Sequence, residues 1–349
     1  MFPSIVLTLA YCAQRTLPCC VHRTHKILEA SVLSSELAVQ TRGLTKRYGE
    51  KLALDGVDLS VPRGSVHGLL GPNGAGKTTT VRILATLTRA DAGEAVVAGY
   101  DVRNQPREVR ASIGLVGQQT AVDDLLSARQ NLTIFGRLFR LDKATARRRA
   151  DELLELFGLA DAAKRSPKTF SGGMRRRLDL AASMILAPNV LFLDEPTTGL
   201  DPAGRREVWK TVRDLAEQGT TVLLTTHYLD EADKLCDRIS VIDEGRNFIE
   251  DTPAGLKRRI GDERLEIAAD DSAVLAQVAQ IAGRVAGAEV TVVEGSLSVP
   301  VARGVRALTE AAAEIRQQGL EITDIGLRRP TLDEAFLHLT SRTEQEAAR

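Results

Sequence analysis

Short apolar runs alternate with amphipathic stretches along most of this chain, and their periods separate strands from helices. Residues 37–41 and 54–61 alternate apolar and polar positions as half-buried strands do, and Pro62, Arg63 and Gly64 turn the chain after the second. Residues 65–70, 113–117, 190–194 and 220–226 are mostly apolar runs short enough for strands buried on both faces. A further strand is expected over 93–99, and 239–243 with 247–250 read as a hairpin around Asp243-Glu244-Gly245. Helical spacing of three and four marks 128–141, 144–157 and 173–186, within a helical insert over about 121–182. Further helices are expected after residue 78 and over 203–218.

Past residue 256 the character changes. Strands over 264–269, 289–293, 297–301 and 320–327 alternate with helices over 272–282 and 303–318, which is the βαββαβ order of a ferredoxin-like unit. A last helix over 331–339 and a charged tail follow. The expected fold is α/β for residues 37–255 and a small α+β accessory domain for 256–340, with a tail over 341–349. Residues 1–36 do not fit this pattern. Residues 5–10 resemble a short signal h-region, but no positive charge precedes them and no small-residue cleavage site follows. A poorly ordered extension is expected, with an amphipathic membrane-touching segment as the alternative.

The candidate chemistry begins at Gly71-Pro72-Asn73-Gly74-Ala75-Gly76-Lys77-Thr78, which reads G-x-x-x-x-G-K-T between an expected strand and an expected helix starting near Thr79. Such a loop offers successive backbone N–H groups to phosphate, and the following helix N-terminus adds positive potential. Lys77 would reach the terminal phosphates, and the Thr78 hydroxyl would ligate Mg2+. The run 190–193 then delivers Asp194 and Glu195 to a strand end, where buried charge needs compensation such as a cation. Asp194 would hold Mg2+ and Glu195 would polarise an attacking water.

Weaker signals fall in consistent places. Gln118 follows a buried strand and could reach a metal or a water. His227 ends another, where a structural and a catalytic role stand about even. Tyr48 precedes the loop and could stack on a purine, although a lone tyrosine is more often core or surface. Ser171-Gly172-Gly173 opens a helix, with Ser171 a suitable N-cap, and reads equally as a second anion site or a tight turn. Arg147, Arg148 and Arg149 read as a solvated helix face.

Composition adds boundaries. A length of 349 residues suits about two domains, and a formal net charge of zero gives no pointer to nucleic acid. No run reaches the roughly 18 apolar residues of a spanning helix, so any membrane role is expected to be peripheral. Cys12, Cys19 and Cys20 lie near His22 and His25, which leaves a Cys/His metal cluster as an alternative to unpaired thiols.

Taken in order, these motifs resemble those of the ATP-binding cassette (ABC) ATPases over residues 37–254. Lys77 and Thr78 match Walker A, Gln118 the Q-loop, and Ser171-Gly172-Gly173 the signature motif. Asp194 and Glu195 match Walker B with its catalytic glutamate, Asp201 the D-loop, His227 the switch histidine and Tyr48 the base-stacking aromatic. Phe170 and Met174 depart from the usual Leu-Ser-Gly-Gly-Gln, which puts the ribose contact at position 174 in doubt. Residues 171–182 and 329–336 are similar to exporter ATPases of the daunorubicin-resistance type. The resemblance implies ATP and Mg2+ as cofactors, with Gln118 also at the metal. It implies a head-to-tail dimer in which Ser171-Gly172-Gly173 serves the opposite nucleotide, with Asp201 among the nucleotide-binding residues. A separate membrane permease and a place on the cytoplasmic membrane face follow from it. A soluble ATPase acting on ribosomes or DNA is the alternative.

Overall fold

The computed structural model describes residues 36–258, 263–293, 295–328 and 331–332. In chain order the elements are β1 (Leu37–Tyr48), β2 (Lys51–Pro62), β3 (Val66–Leu70), α1 (Lys77–Leu84), β4 (Ala92–Val97), β5 (Tyr100–Asp101), α2 (Pro106–Ser112), β6 (Ile113–Val116), α3 (Ala128–Leu138), α4 (Lys143–Leu156), α5 (Gly172–Ser183) and β7 (Val190–Asp194). They continue with α6 (Pro202–Glu217), β8 (Thr221–Thr226), α7 (Leu229–Leu235), β9 (Arg238–Asp243), β10 (Arg246–Asp251), α8 (Pro253–Arg258), β11 (Arg264–Ala268), α9 (Ser272–Ala286), β12 (Thr291–Val293), β13 (Ser296–Pro300), α10 (Gly304–Gln317) and β14 (Asp324–Arg328). They fall into two compact units. Of the described residues, one holds 36–66, Asn73–Thr225 and Ile242–Asn247; the other holds His67–Pro72, Thr226–Val241 and those from Phe248 to 332.

In the first unit β6, β7 and β8 lie parallel, with Ile113 opposite Val190 and Val190 opposite Thr221. Every residue of β7 and β8 is buried, which explains why both read as continuous runs rather than alternating ones. Parallel pairing puts the C-terminal ends of these strands at one edge, where Gln118, Asp194 and Glu195 follow. A separate antiparallel sheet runs in the order β2-β1-β4-β5. Its two long strands extend well beyond the alternating segments because bulges break the register between Thr41 and Leu44 and between Lys46 and Arg47. The helical insert is built as three capped helices. Ser127 and Gln130 close a capping box on α3, Asp142 caps α4 and Ser171 caps α5.

The reading of the Arg147–149 run needs one correction. Arg147 and Arg148 are exposed, but Arg149 is half-buried and donates to the Met184 and Ile185 carbonyls at 3.0 and 3.3 Å. These carbonyls lie just past the end of α5, where a cation satisfies unpaired acceptors. Helices α2, α7 and α8 were not legible in the apolar spacing.

In the second unit β3 pairs parallel with β9, which pairs in turn with β10. The later elements follow the βαββαβ order, with the antiparallel sheet arranged β12-β13-β11-β14. Leu265, Ile267, Leu297 and Val299 of this sheet form one buried core with Val278 and Ile281 of α9 and Ala311 and Ile315 of α10. The expected features over 1–35, the final helix beyond 332 and the tail lie outside the described residues.

One buried group makes stability depend on pH. His67 on β3 is fully buried, and its Nε2 lies 2.8 Å from Ser240 Oγ. Ser240 in turn donates to Glu250, which pairs with Arg238. Burial lowers the His67 pKa to about 4 from 6.5; the Glu250 charge opposes that shift and Arg238 adds to it. Between these values the unfolded chain binds a proton that the folded chain refuses. The full stability is therefore present above about pH 6.5 and falls toward pH 4, by about 3 kcal/mol in all. Urea unfolding at pH 7.5 and pH 5 should show this slope in the parent and lose it in His67→Gln; an equal slope in both would contradict the assignment.

Candidate functional site

The phosphate-loop sequence folds as a turn that only glycine tolerates at two places. Gly74 and Gly76 have φ of +88° and +107°, and Gly76 caps the N-terminus of α1. A Cβ on Gly76 would lie 2.6 Å from Leu54 Cδ2 and 2.7 Å from the Ala53 carbonyl oxygen. The loop is braced from behind by the β9–β10 turn: Gly245 N–H donates to the Ala75 carbonyl at 3.0 Å, and Asp55 N–H donates to the Gly245 carbonyl at 2.8 Å. These bonds fix the loop before any ligand arrives.

Lys77 and Thr78 open α1. Lys77 is only 5 % exposed. Burial lowers its pKa, while the Glu195 and Asp194 carboxylates act the other way. The Thr78 hydroxyl donates to Asp194 Oδ1 at 3.0 Å, and the Thr225 hydroxyl donates to the same oxygen at 2.6 Å. Asp194 is itself buried. Two donors on one carboxylate oxygen fix its orientation. Thr78 and Asp194 thus sit side by side as oxygen ligands of the kind that suits a hard divalent cation.

Glu195 follows with φ of +49°, an uncommon conformation for a residue other than glycine. Its N–H donates to the Thr225 carbonyl at 3.1 Å. The bend turns its side chain away from the path of β7. Tyr48, Asn73, Gly74, Gly76, Lys77, Thr78, Thr79, Gln118 and Glu195 all line one cavity of about 500 Å³, together with Lys51 and Ala53. Residues from four separated segments therefore converge, and two lysines give the cavity positive charge. Lys51 had no signal beyond its place between two strand runs.

The other expected site residues have the following local settings. Gly71 and Pro72 follow β3, and Ala75 is buried behind the loop. His227 follows β8 directly in the chain, with its ring centroid 4.1 Å from that of Tyr228. Ser171 Oγ accepts from Met174 N–H at the start of α5, and Asp201 Oδ1 accepts from Gly204 N–H at the start of α6. Neither Ser171 nor Asp201 is among the residues that line the cavity. Gly172 and Gly173 have a packing role: a Cβ on the first would meet Leu200 Cδ2 at 2.9 Å, and on the second Gly204 Cα at 3.1 Å. The glycines let α5 and α6 approach at their N-terminal ends, while the first turn of α5 stays exposed around Ser171 and Gly172.

Among the described residues no group of three or more His, Cys, Asp or Glu is placed to hold a metal, and no helix is long and apolar enough to cross a membrane. The cysteines and histidines of the first 25 residues lie outside the described part.

Comparison with known proteins agrees with this geometry. Residues 54–198 match the family described as ABC transporter. The chain is 59 % identical over 315 residues to the daunorubicin resistance ATP-binding protein DrrA2 of Streptomyces coeruleorubidus, covering 89 % of this chain and 98 % of that one. It is 49 % identical to the doxorubicin resistance ATP-binding protein DrrA of Mycobacterium tuberculosis strain H37Rv, covering 88 % and 95 % of the two chains. Among solved structures it is similar to cbiO1 of Clostridium perfringens, part of the ABC transporter complex cbiONQ, with a TM-score of 0.59 and 27 % identity over 64 % of this chain and 93 % of that one. It is also similar to a dimeric ATP-binding cassette in a post-hydrolysis state bound to ADP and Pi, with a TM-score of 0.55 and 27 % identity over 61 % and 98 % of the two chains.

Proposed function

Because this chain belongs to the ABC transporter ATP-binding proteins of the drug-resistance type, with their P-loop ATPase fold, we propose that it hydrolyses ATP as a head-to-tail dimer to drive efflux through a separate membrane permease. The observation that carries this reading is the convergence of Lys77, Thr78 and Glu195 on the 500 Å³ cavity, with the buried Asp194 hydrogen-bonded to Thr78. In the proposed mechanism the loop N–H groups of Gly71 and of residues 73–76, with Lys77, grip the triphosphate of ATP. Thr78, Asp194 and Gln118 would hold Mg2+, which would neutralise phosphate charge when bound. Tyr48 stacks on the adenine. Glu195 accepts a proton from water aimed at the γ-phosphate, and His227 contacts that phosphate. Phosphoryl transfer depends chiefly on such positioning and charge neutralisation.

The exposed start of α5 supports the dimer. Ser171, Gly172, Gly173 and Asp201 are absent from their own chain's cavity, so in this reading they complete the cavity of a second copy. A partner with spanning helices is required for transport, and the cytoplasmic membrane face is the proposed location. The relatives' names favour a drug or similar hydrophobic compound as cargo, rather than action on ribosomes or DNA. Residues 37–255 are read as the ATPase domain and 256–340 as an accessory domain whose task is regulation or assembly with the permease.

The test is reconstitution in liposomes with a candidate permease, a membrane protein of about six hydrophobic spans, if the neighbouring reading frame encodes one. ATP-dependent movement of an anthracycline, lost in Glu195→Gln, is the expected outcome. Vigorous ATPase activity with no bound permease and no cargo movement would contradict the transport reading while leaving the ATPase reading intact.

A further inference from the structure

Arg176 sits on α5, five residues after Ser171, and is 5 % exposed. Its Nη1 donates to the Gly117 carbonyl at 2.7 Å and its Nε to the Pro196 carbonyl at 2.8 Å. Its Nη2 reaches the Asp194 carbonyl at 3.4 Å. Gly117 immediately precedes Gln118, while Asp194 and Pro196 flank Glu195. One guanidinium thus holds the backbone on both sides of Glu195 and the backbone entering Gln118. Three residues further along α5, the buried Asp179 lies 3.4 Å from Arg176 Nη1 and accepts from Ala121 N–H at 3.0 Å. Helix α5 is therefore bolted to both sides of the Gln118 loop and to the Glu195 bend.

The arrangement is demanding. Glu195 occupies the sparsely populated left-handed region, so its surroundings must hold it there. A planar guanidinium can serve three acceptors in fixed directions at once, whereas a lysine ammonium donates from a single point.

We infer that Arg176 is a positioning residue that couples the two ATP sites of the dimer. This rests on the roles proposed above for Ser171, Gln118 and Glu195. Ser171 at the head of α5 serves the nucleotide of the partner chain. Arg176 on the same helix fixes the two groups that serve the chain's own nucleotide. Engagement of Ser171 at one site is then transmitted through a rigid helix to the water-aiming residues of the other. The result is cooperative hydrolysis without any contact between Arg176 and ATP.

The experiment compares the parent chain with Arg176→Ala, Arg176→Lys and Glu195→Gln in steady-state phosphate release. Folding is followed by circular dichroism, and binding by a fluorescent ATP analogue. Misplacement of the water-aiming group by about an ångström predicts a loss of about a hundredfold in kcat for Arg176→Ala. The KM for ATP and analogue binding should stay within about threefold, since the phosphate loop is untouched. The Hill coefficient should fall to one, and added guanidinium should restore part of the kcat. If Arg176→Ala fails to fold, Arg176→Lys decides: a kcat loss of about tenfold or more with unchanged KM and no cooperativity supports the inference. A folded Arg176→Lys with parental kcat and Hill coefficient overturns it. An active Glu195→Gln would instead overturn the underlying assignment of Glu195, so the two failures are distinguishable.

Discussion

Lys77→Ala should lose ATP hydrolysis by about a hundredfold to a thousandfold and weaken ATP binding as well. The lysine is nearly buried at the head of α1, beside the cavity, with Asp194 and Glu195 as its charged neighbours. Burial alone disfavours its ammonium form, and the two carboxylates counter that. A triphosphate entering the cavity brings further negative charge and strengthens the charged form. In a site shielded from water such a preorganised cation is worth far more than in solution, of the order of 3–4 kcal/mol at the transition state. Lys51 also lines the cavity, but it is exposed on β2 and outside the loop. It cannot take over the position. Lys77→Arg should also fail, because the larger planar fork does not fit where a compact ammonium sits. Phosphate release and a titration with fluorescent ATP check both variants. Turnover within tenfold of the parent in Lys77→Ala would remove this residue from the mechanism.

Glu195→Gln should lower turnover by about a hundredfold to a thousandfold while ATP binding is retained. The amide matches the carboxylate in size, so the bend at φ +49° and the bonds to Thr225 should survive. Only the ability to accept the proton of the attacking water is lost. With chemistry blocked and binding intact, ATP should remain between two chains, and a closed dimer should accumulate when Mg2+ is present. Size-exclusion chromatography with multi-angle light scattering reads this directly. Hydrolysis at close to the parental rate would assign the proton acceptor to another group.

Much of the site was legible because phosphate chemistry leaves a dense local signature. The loop at 71–78 needs glycines at fixed places, and Asp194 and Glu195 stand where a wholly buried strand ends. What the sequence hid was tertiary. The strands β1 and β2 each run for 12 residues, yet only part of each alternates, because bulges shift the side chains between faces. Helix α2 buries a single residue, Val109, so it carries no apolar stripe to find. The contribution of Thr225 could not be read from its strand, since it depends on β7 and β8 pairing in one register. Gly172 and Gly173 looked like either an anion site or a turn; the structure adds close approach to Leu200 and Gly204. Arg176 carried no signal of its own in the sequence, and only the fold shows three carbonyls around it.

The proposed mechanism stands on the Lys77–Thr78 loop binding the triphosphate and Glu195 aiming the water that cleaves it. Counting nucleotides on purified Glu195→Gln after incubation with ATP and Mg2+ tests this most directly. Two intact ATP molecules per pair of chains, none on the same variant carrying Lys77→Ala, is the result expected. Chains that stay monomeric and carry no adenine nucleotide at saturating ATP would contradict it.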